Sequence, residues 1–338
     1  MTAAAVTVHL QAADLEHDLR CEAAWGLQNR PKQLSPKWFY DERGSALFEQ
    51  ITRLKEYYPT RAERAVLAAR AEEIVAASSP ETFIELGSGA SEKTTLLLDA
   101  AVSAGTLRRF VPFDVCEPFL RAAASRLASR YSTLEVLGVV GDFERQLSRL
   151  PTSGRTLVAL LGGTIGNLLP EQRARFLGTL AQHFAPGDCL LLGTDLVKDT
   201  ARLIAAYDDA AGVTAAFNRN VLLVLNDRLG ATFEPVDFDH VARWDPEHEW
   251  IEMHLRARRG HDVRVAALET AISFEAGELL RTEISAKFRR DGVADELAAA
   301  GFAMTNWWTD DEGSFAVSLS VRRPDLVGKA VVEKAGAC

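Results

Sequence analysis

The chain has 338 residues, 47% of them apolar, with a formal net charge of −9 and a pI near 5.4. That apolar share supports a substantial core in one large domain or two medium ones, and the acidic balance, without any lysine–arginine block, argues against a nucleic-acid partner. Four scattered cysteines (Cys21, Cys116, Cys189, Cys338) without C-x-x-C spacing fit a reducing compartment, and apolar runs such as LVALL and VLLVL are far too short to span a bilayer, so a soluble cytoplasmic protein without a membrane partner is expected.

In chain order, the first unusual stretch is PKWFYDERGSALFEQITRLKEYYPTR, which gathers Tyr40, Phe48, Tyr57 and Tyr58. From about residue 61 helical and strand-like segments alternate. RAERAVLAARAEEIVAAS reads as a helix with Ala65, Leu67, Ala68 and Ile74 on its apolar side. TFIELG is a buried strand, SEKTTLLLDAAV a helix that Ser91 would cap, RRFVPFDV a second strand and FLRAAASRLASRY a helix. LEVLGVVGDF and TLVALLGG follow as third and fourth strands, then a helix opened by Pro170 and a fifth strand, DCLLLGTDL. Strands apolar throughout, alternating with helices, imply a parallel sheet covered on both faces. After Asp195 two consecutive helices precede EWIEMHLRA, whose alternation of Glu252, His254 and Arg256 with Ile251, Met253 and Leu255 predicts a half-exposed antiparallel strand. This segment reads as an inserted α+β domain. A final helix, VADELAAAGF, and strand, SFAVSLSVR, suit completion of the first sheet.

The loop ELGSGASEKT carries an acidic residue and then G-x-G between strand and helix. A dinucleotide loop would need a third glycine where Glu92 stands, so a nicotinamide enzyme is disfavoured. The acidic G-x-G resembles the first loop of S-adenosylmethionine-dependent methyltransferases. Ligands of open α/β sheets lie beyond the carboxyl ends of the strands. There the second strand offers Asp114 for ribose hydroxyls, and the third offers Asp142 and Phe143 for the adenine. Lys93 would reach the methionine carboxylate. Thr164 and Asn167, in GGTIGNL beyond the fourth strand, stand where a methyl acceptor would lie.

PKWFYD, GSALFEQITRL, EYYPTR, ELGSG-SEKT, FVPFDV, GDFE, G-TIGNL, LLLGTDLVKD, AYDDAAGVTAAFNRN and WWTD, in that order over roughly residues 30 to 323, resemble the histidine Nα-methyltransferase family of ergothioneine biosynthesis. The resemblance implies a Rossmann-like class I methyltransferase sheet with a second, inserted α+β substrate-binding domain. It implies three methyl transfers from S-adenosyl-L-methionine, released as S-adenosyl-L-homocysteine, to the α-amine of free L-histidine, giving hercynine. Carried over, Gly87, Lys93, Asp114, Asp142 and Phe143 hold the donor. Tyr57, Asn167, Tyr207, Glu283 and Ser285 hold histidine, and Tyr40, Thr164 and Met253 line its pocket. Asn167 would aim the amine, Tyr207 fix the carboxylate, and Tyr40 with Phe48 face the methylated cation. Glu283 would pair with an imidazole N–H, and Ser285 meet the other nitrogen in either sense. Solvent or a tyrosine-linked water is expected to take the amine protons. The chain departs from the family pattern at Ala90, Gly163 and Ala286, all small-residue exchanges.

On this reading residues 1–60 and 197–286 form the substrate-binding domain, 61–196 and 287–323 the methyltransferase domain, and 324–338 a tail. A monomer is expected. A methyltransferase of protein or nucleic acid is disfavoured by the charge and by the aromatic pocket. A non-enzymatic module would bind the donor without consuming it. A zinc site from His240, His248 and His254 is disfavoured because HEWIEMH lacks H-E-x-x-H spacing, and no metal is expected.

Overall fold

The computed structural model describes residues 4–89, 91, 93–143, 145–323 and 325. Ala90 and Glu92 of the glycine loop and, Asp325 apart, the proposed tail lie outside the described residues. The strands are β1 (Ala5–Val8), β2 (Lys32–Gln33), β3 (Thr82–Leu86), β4 (Arg109–Asp114), β5 (Glu135–Val140), β6 (Thr156–Leu160) and β7 (Cys189–Asp195). They continue with β8 (Phe238–Asp245), β9 (Trp250–Ala257), β10 (His261–Val265), β11 (Thr270–Phe274), β12 (Leu279–Ala286), β13 (Phe302–Thr309) and β14 (Phe315–Arg322).

Two compact units divide the chain. The first takes the described residues up to Leu10, Pro59–Val197 and those from Phe288 onward; the second takes Gln11–Tyr58 and Lys198–Lys287. The first unit is built on an eight-stranded sheet ordered β1-β5-β4-β3-β6-β7-β14-β13. β1, β5, β4, β3, β6 and β7 run parallel within it, β14 is antiparallel to β7, and β13 is antiparallel to β14. Every residue of β3, β6 and β7 is buried, as befits central strands with helices on both faces, and each fully buried Leu, Ile or Phe contributes about 1.5–3 kcal/mol. From β3 the chain winds outward to β4 and β5, then returns to β6 on the other side. The carboxyl ends of β3 and β6 therefore flank the topological switch point, where such sheets bind ligands.

Several local expectations are corrected. Residues 5–8, expected with the second domain, form β1 on the edge of the large sheet, pairing in parallel with β5. In the helix Pro59–Ser78, Ala65 and Ala68 are exposed, and the buried side is Ala62, Glu63, Val66, Leu67, Ile74 and Val75. An alanine-rich helix offers little contrast by which to place its face, and a buried glutamate disguises it further. Ser91 does not cap the following helix, which begins at Thr95. Its φ of 49° and its hydrogen bond to Glu85 turn it inward. The hairpin strand β13 was not expected, because Phe302–Thr309 mixes aromatic and polar residues without clean alternation.

The second unit has a four-stranded sheet, β2-β12-β9-β8, a separate β10-β11 hairpin, and helices Ala12–Gly26, Glu42–Ile51, Thr200–Tyr207 and Val213–Leu229. Its core gathers Leu19, Leu27, Phe39, Phe217, Val221, Leu225, Ile251, Met253 and Leu255. Pairing of β9 with β12 shifts register between Arg281 and Glu283, leaving Thr282 as the extra residue of a bulge. Beyond it Glu283 lies opposite Met253 and Ser285 opposite Ile251, so these two polar residues share the strand face whose partners are apolar.

Candidate active site

In the first unit, the loop after β3 is tied to the end of β4. The backbone N–H groups of Gly87 and Ser88 donate to the Phe113 carbonyl at 2.9 and 3.0 Å. Gly89 N–H donates to one Asp114 carboxylate oxygen at 2.8 Å and Cys116 N–H to the other at 2.9 Å. Burial pushes the Asp114 carboxyl up, against the pull of the Cys116 and Gly89 N–H groups. Gly87 and Gly89 have φ of +67° and +47°, and nothing among the described residues lies within 4 Å of where a Cβ would stand on either. The left-handed backbone calls for glycine, and this open space leaves room for a ligand to approach the main chain. Ser88 adds a buried hydroxyl without a hydrogen-bond partner among the described residues. These residues fit an adenosine-type donor: open glycine backbone, a strand-end carboxylate and an orphaned hydroxyl.

Asp142 is buried beyond β5, its N–H donating to Gln146 Oε1 at 2.7 Å. Phe143 stands edge-on to Phe176, with ring centroids 5.5 Å apart. Thr164 and Asn167 bound the short 3-10 turn directly after β6. The Thr164 hydroxyl donates to the Leu161 carbonyl at 3.0 Å, within its own turn.

Lys93 forms an ion pair with Glu63, a fully buried carboxylate from the helix Pro59–Ser78. The second function of Glu63 is to accept the Gly162 N–H at 2.7 Å, which anchors the loop carrying Thr164 and Asn167. A Cβ on Gly193 would stand 2.2 Å from Glu63 Oε1, so glycine in β7 makes room for this carboxylate. Close by, Glu85 is buried and accepts from the hydroxyls of Thr94 and, at 2.9 Å, Ser91. Its burial raises the carboxyl to about 7, although Thr94, Lys93 and Ser91 all oppose the rise.

In the second unit the expected aromatic residues converge. Tyr40 packs on Phe48 at 5.6 Å, Phe48 on Tyr57 at 6.1 Å and Tyr57 on Tyr207 at 6.4 Å, all near edge-on. The Tyr207 hydroxyl and Ser285 Oγ are 2.7 Å apart. Lys287, 4% exposed, donates to the Tyr207 hydroxyl at 2.9 Å and to Ser285 Oγ at 2.7 Å. Glu283 is half-buried on the same strand face, beside the buried Met253.

A buried polar network supports this face. His240 Nε2 donates to the Tyr207 carbonyl at 2.8 Å, and its Nδ1 accepts from Asn218 Nδ2 at 2.8 Å. Asn218 also donates to the His254 carbonyl at 3.0 Å and accepts from Thr282 Oγ1 at 2.6 Å. Burial pushes the His240 imidazolium down, favouring the neutral ring that this pattern requires. One amide thus links the end of the Tyr207 helix to the bulge that orients Glu283 and Ser285. His254, expected on an exposed strand face, is 6% exposed beside Glu252 at 3.4 Å. His248 pairs with Asp245 at 2.8 Å and stacks on Trp250. The three histidines weighed as zinc ligands have separate partners.

Sequence reasoning missed Lys287, Glu63 and Asn218. Lys287 had a legible signal, two residues after Ser285 and four after Glu283, the spacing of one strand face. Glu63 lies three residues before Val66 and four before Leu67, on the buried side of its helix, yet a glutamate there reads as solvated. Asn218 had no signal beyond its place in a long helix.

The sheet order, the single reversed strand β14 and an acidic glycine loop at the switch point define a Rossmann-like class I methyltransferase. Residues 19–322 match the family described as histidine-specific, SAM-dependent methyltransferases, and the chain belongs to that family. It is 56% identical over 314 residues to the histidine N-alpha-methyltransferase of Mycolicibacterium smegmatis, covering 93% of this chain and 98% of that one. It is 55% identical over 304 residues to the protein of the same name from Mycobacterium tuberculosis, covering 90% and 95%. A 4-dimethylallyltryptophan N-methyltransferase of Claviceps purpurea is 28% identical over 334 residues, covering 92% and 96%.

Proposed function

We propose that this protein methylates the α-amine of free L-histidine three times, using S-adenosylmethionine, to give hercynine, the first step of ergothioneine biosynthesis. The observation that carries this reading is the strand face on which Glu283 stands with the Tyr207–Ser285 hydroxyl pair, 2.7 Å apart. A carboxylate there suits an imidazole N–H, the Ser285 hydroxyl suits the other ring nitrogen, and the Tyr207 hydroxyl suits the α-carboxylate. The mycobacterial relatives named for the same substrate support it.

Bound S-adenosylmethionine supplies an electrophilic methyl carbon: the amine lone pair forms the N–C bond as the C–S bond breaks, its electron pair staying on sulfur. The residues of this chain bind, orient and exclude water. Gly87, Asp114, Asp142 and Phe143 are assigned to the donor. Lys93, already paired with Glu63, is assigned to its carboxylate end. Tyr57, Tyr207, Glu283 and Ser285 are assigned to histidine, with Tyr40, Thr164 and Met253 lining the pocket. Asn167 is assigned the amine, and holding the nucleophile in line is its contribution to rate. The amine must lose a proton before each transfer, to solvent or a tyrosine-linked water. The aromatic set around Tyr40 and Phe48 tolerates the cation that accumulates. The reading includes a monomer acting on small molecules in the cytoplasm.

Asn167→Ala tests it. Turnover with histidine should fall far more than melting temperature, whereas full specific activity in a poorly folding variant would make Asn167 structural.

A further inference from the structure

Three polar residues follow one another on a single face at the end of the second unit: Glu283, Ser285 and Lys287. Successive members are about 7 Å apart along an extended strand. The alternation runs one step past β12, because Lys287 N–H donates to the Glu249 carbonyl at 2.8 Å and keeps the ladder going. The Lys287 side chain turns back along this face. Its ammonium reaches Ser285 Oγ at 2.7 Å and the Tyr207 hydroxyl at 2.9 Å, and it lies 4.6 Å from the centre of the Tyr207 ring. Lys287, Ser285 and Tyr207 are each at least nine-tenths buried, and Glu283 is half-buried.

An ammonium has donors and no acceptor, whereas a hydroxyl has one donor and can also accept. The two hydroxyls are 2.7 Å apart, so one O–H is spent between them. With Lys287 donating to both oxygens, a Ser285 O–H directed at Tyr207 leaves the Tyr207 O–H to donate outward and the Ser285 oxygen a lone pair. A charged donor also polarises the O–H, and low dielectric strengthens the effect. A hydroxyl set to donate, backed by a positive charge, suits an anion. On the same strand Glu283 presents the opposite charge. The face therefore carries a carboxylate at one end and a cation-backed hydroxyl donor at the other, complementary to an amino acid with a basic ring and an α-carboxylate.

We propose that Lys287 is a positioning residue of the amino-acid site: through the Tyr207–Ser285 pair it sets the Tyr207 hydroxyl to receive the substrate α-carboxylate. It thereby selects α-amino acids over the corresponding amines. The inference rests on reading the second unit as the histidine-binding part of the protein.

The test compares two ligands that differ only in the carboxylate, L-histidine and histamine, on the wild type, Lys287→Met and Lys287→Arg. Binding is measured by calorimetry with S-adenosylhomocysteine present, histamine by displacement where it binds weakly. Lys287→Met should lose roughly tenfold to a hundredfold in affinity for histidine, the worth of a charge-assisted contact. Its affinity for histamine should stay within about twofold. Lys287→Arg, which keeps charge and donors, should recover most of the loss for histidine. If the Met variant does not fold, Lys287→Gln carries the same expectation. Equal losses for both ligands, or no loss for histidine, would overturn the role of Lys287 while leaving the histidine site standing. A wild type that binds no histidine would overturn the site reading and the inference together.

Discussion

Replacing Glu283 with alanine isolates recognition of the imidazole from everything else the site does. Glu283 is half-buried and stands opposite Met253, which is 1% exposed, on a strand whose register is set by the Thr282 bulge. A hydrogen bond to a charged group contributes about 1.5–3 kcal/mol. Partial exposure places this one in the lower part of that range, about 1.5–2 kcal/mol, or ten- to thirtyfold in affinity. Gly87, Asp114 and Asp142, the residues proposed for the donor, belong to the other unit, so affinity for S-adenosylhomocysteine should not change. The assay has two arms: calorimetric titration of histidine into the enzyme saturated with S-adenosylhomocysteine, and turnover in an equimolar mixture of histidine, phenylalanine and tryptophan. The variant should bind histidine more weakly and discriminate less, most clearly against phenylalanine, whose ring offers the carboxylate no N–H partner. If Glu283→Ala keeps the wild-type preference for histidine, the imidazole is read by other residues and the assignment fails.

Asp114→Ala removes the acceptor of the Gly89 and Cys116 N–H groups; affinity for S-adenosylhomocysteine should fall by roughly 1–3 kcal/mol, and an unchanged calorimetric value would remove Asp114 from the donor site. Glu63→Gln keeps the shape but discharges the partner of Lys93 and Gly162. The loss of about 1.5–3 kcal/mol should lower the melting temperature by roughly 3–12 °C, and a variant that melts with the wild type would show the pair to be dispensable. Glu85 has a folded-state carboxyl raised by burial to about 7 from an ordinary 4.5, so the native protein keeps a proton that the unfolded chain releases. Wild-type stability relative to Glu85→Gln should therefore decline by about 3 kcal/mol as pH rises from about 4.5 to about 7, and level off above that. Urea unfolding across this window checks it, and a difference independent of pH would mean that Glu85 is ionised in the fold.

The alternating architecture was legible because β3, β6 and β7 are largely apolar runs, as strands buried on both faces are expected to be. The glycine turn after β3 was legible because two positions with positive φ call for a residue that few others can replace. Harder to read were features whose meaning depends on distant partners. Glu63 looks like an ordinary helix glutamate until Lys93 and Gly162 are brought to it. His254 alternates with apolar neighbours as a surface residue would, yet packing encloses it. The Thr282 bulge, which sets the facing of Glu283 and Ser285, has no local marker at all, since its hydroxyl is satisfied by Asn218, 64 positions away. Residues 5–8 are too short and too mixed to announce a strand, and only the exposed edge of β5 gives them a place.

The most direct test is a single incubation of the protein with S-adenosylmethionine and an equimolar mixture of all the proteinogenic amino acids, followed by mass spectrometry. Histidine alone should gain mass, ending at the trimethylated product, with S-adenosylhomocysteine formed in proportion. Methylation of another amino acid in preference to histidine, or donor binding without any methylated product, would contradict the account.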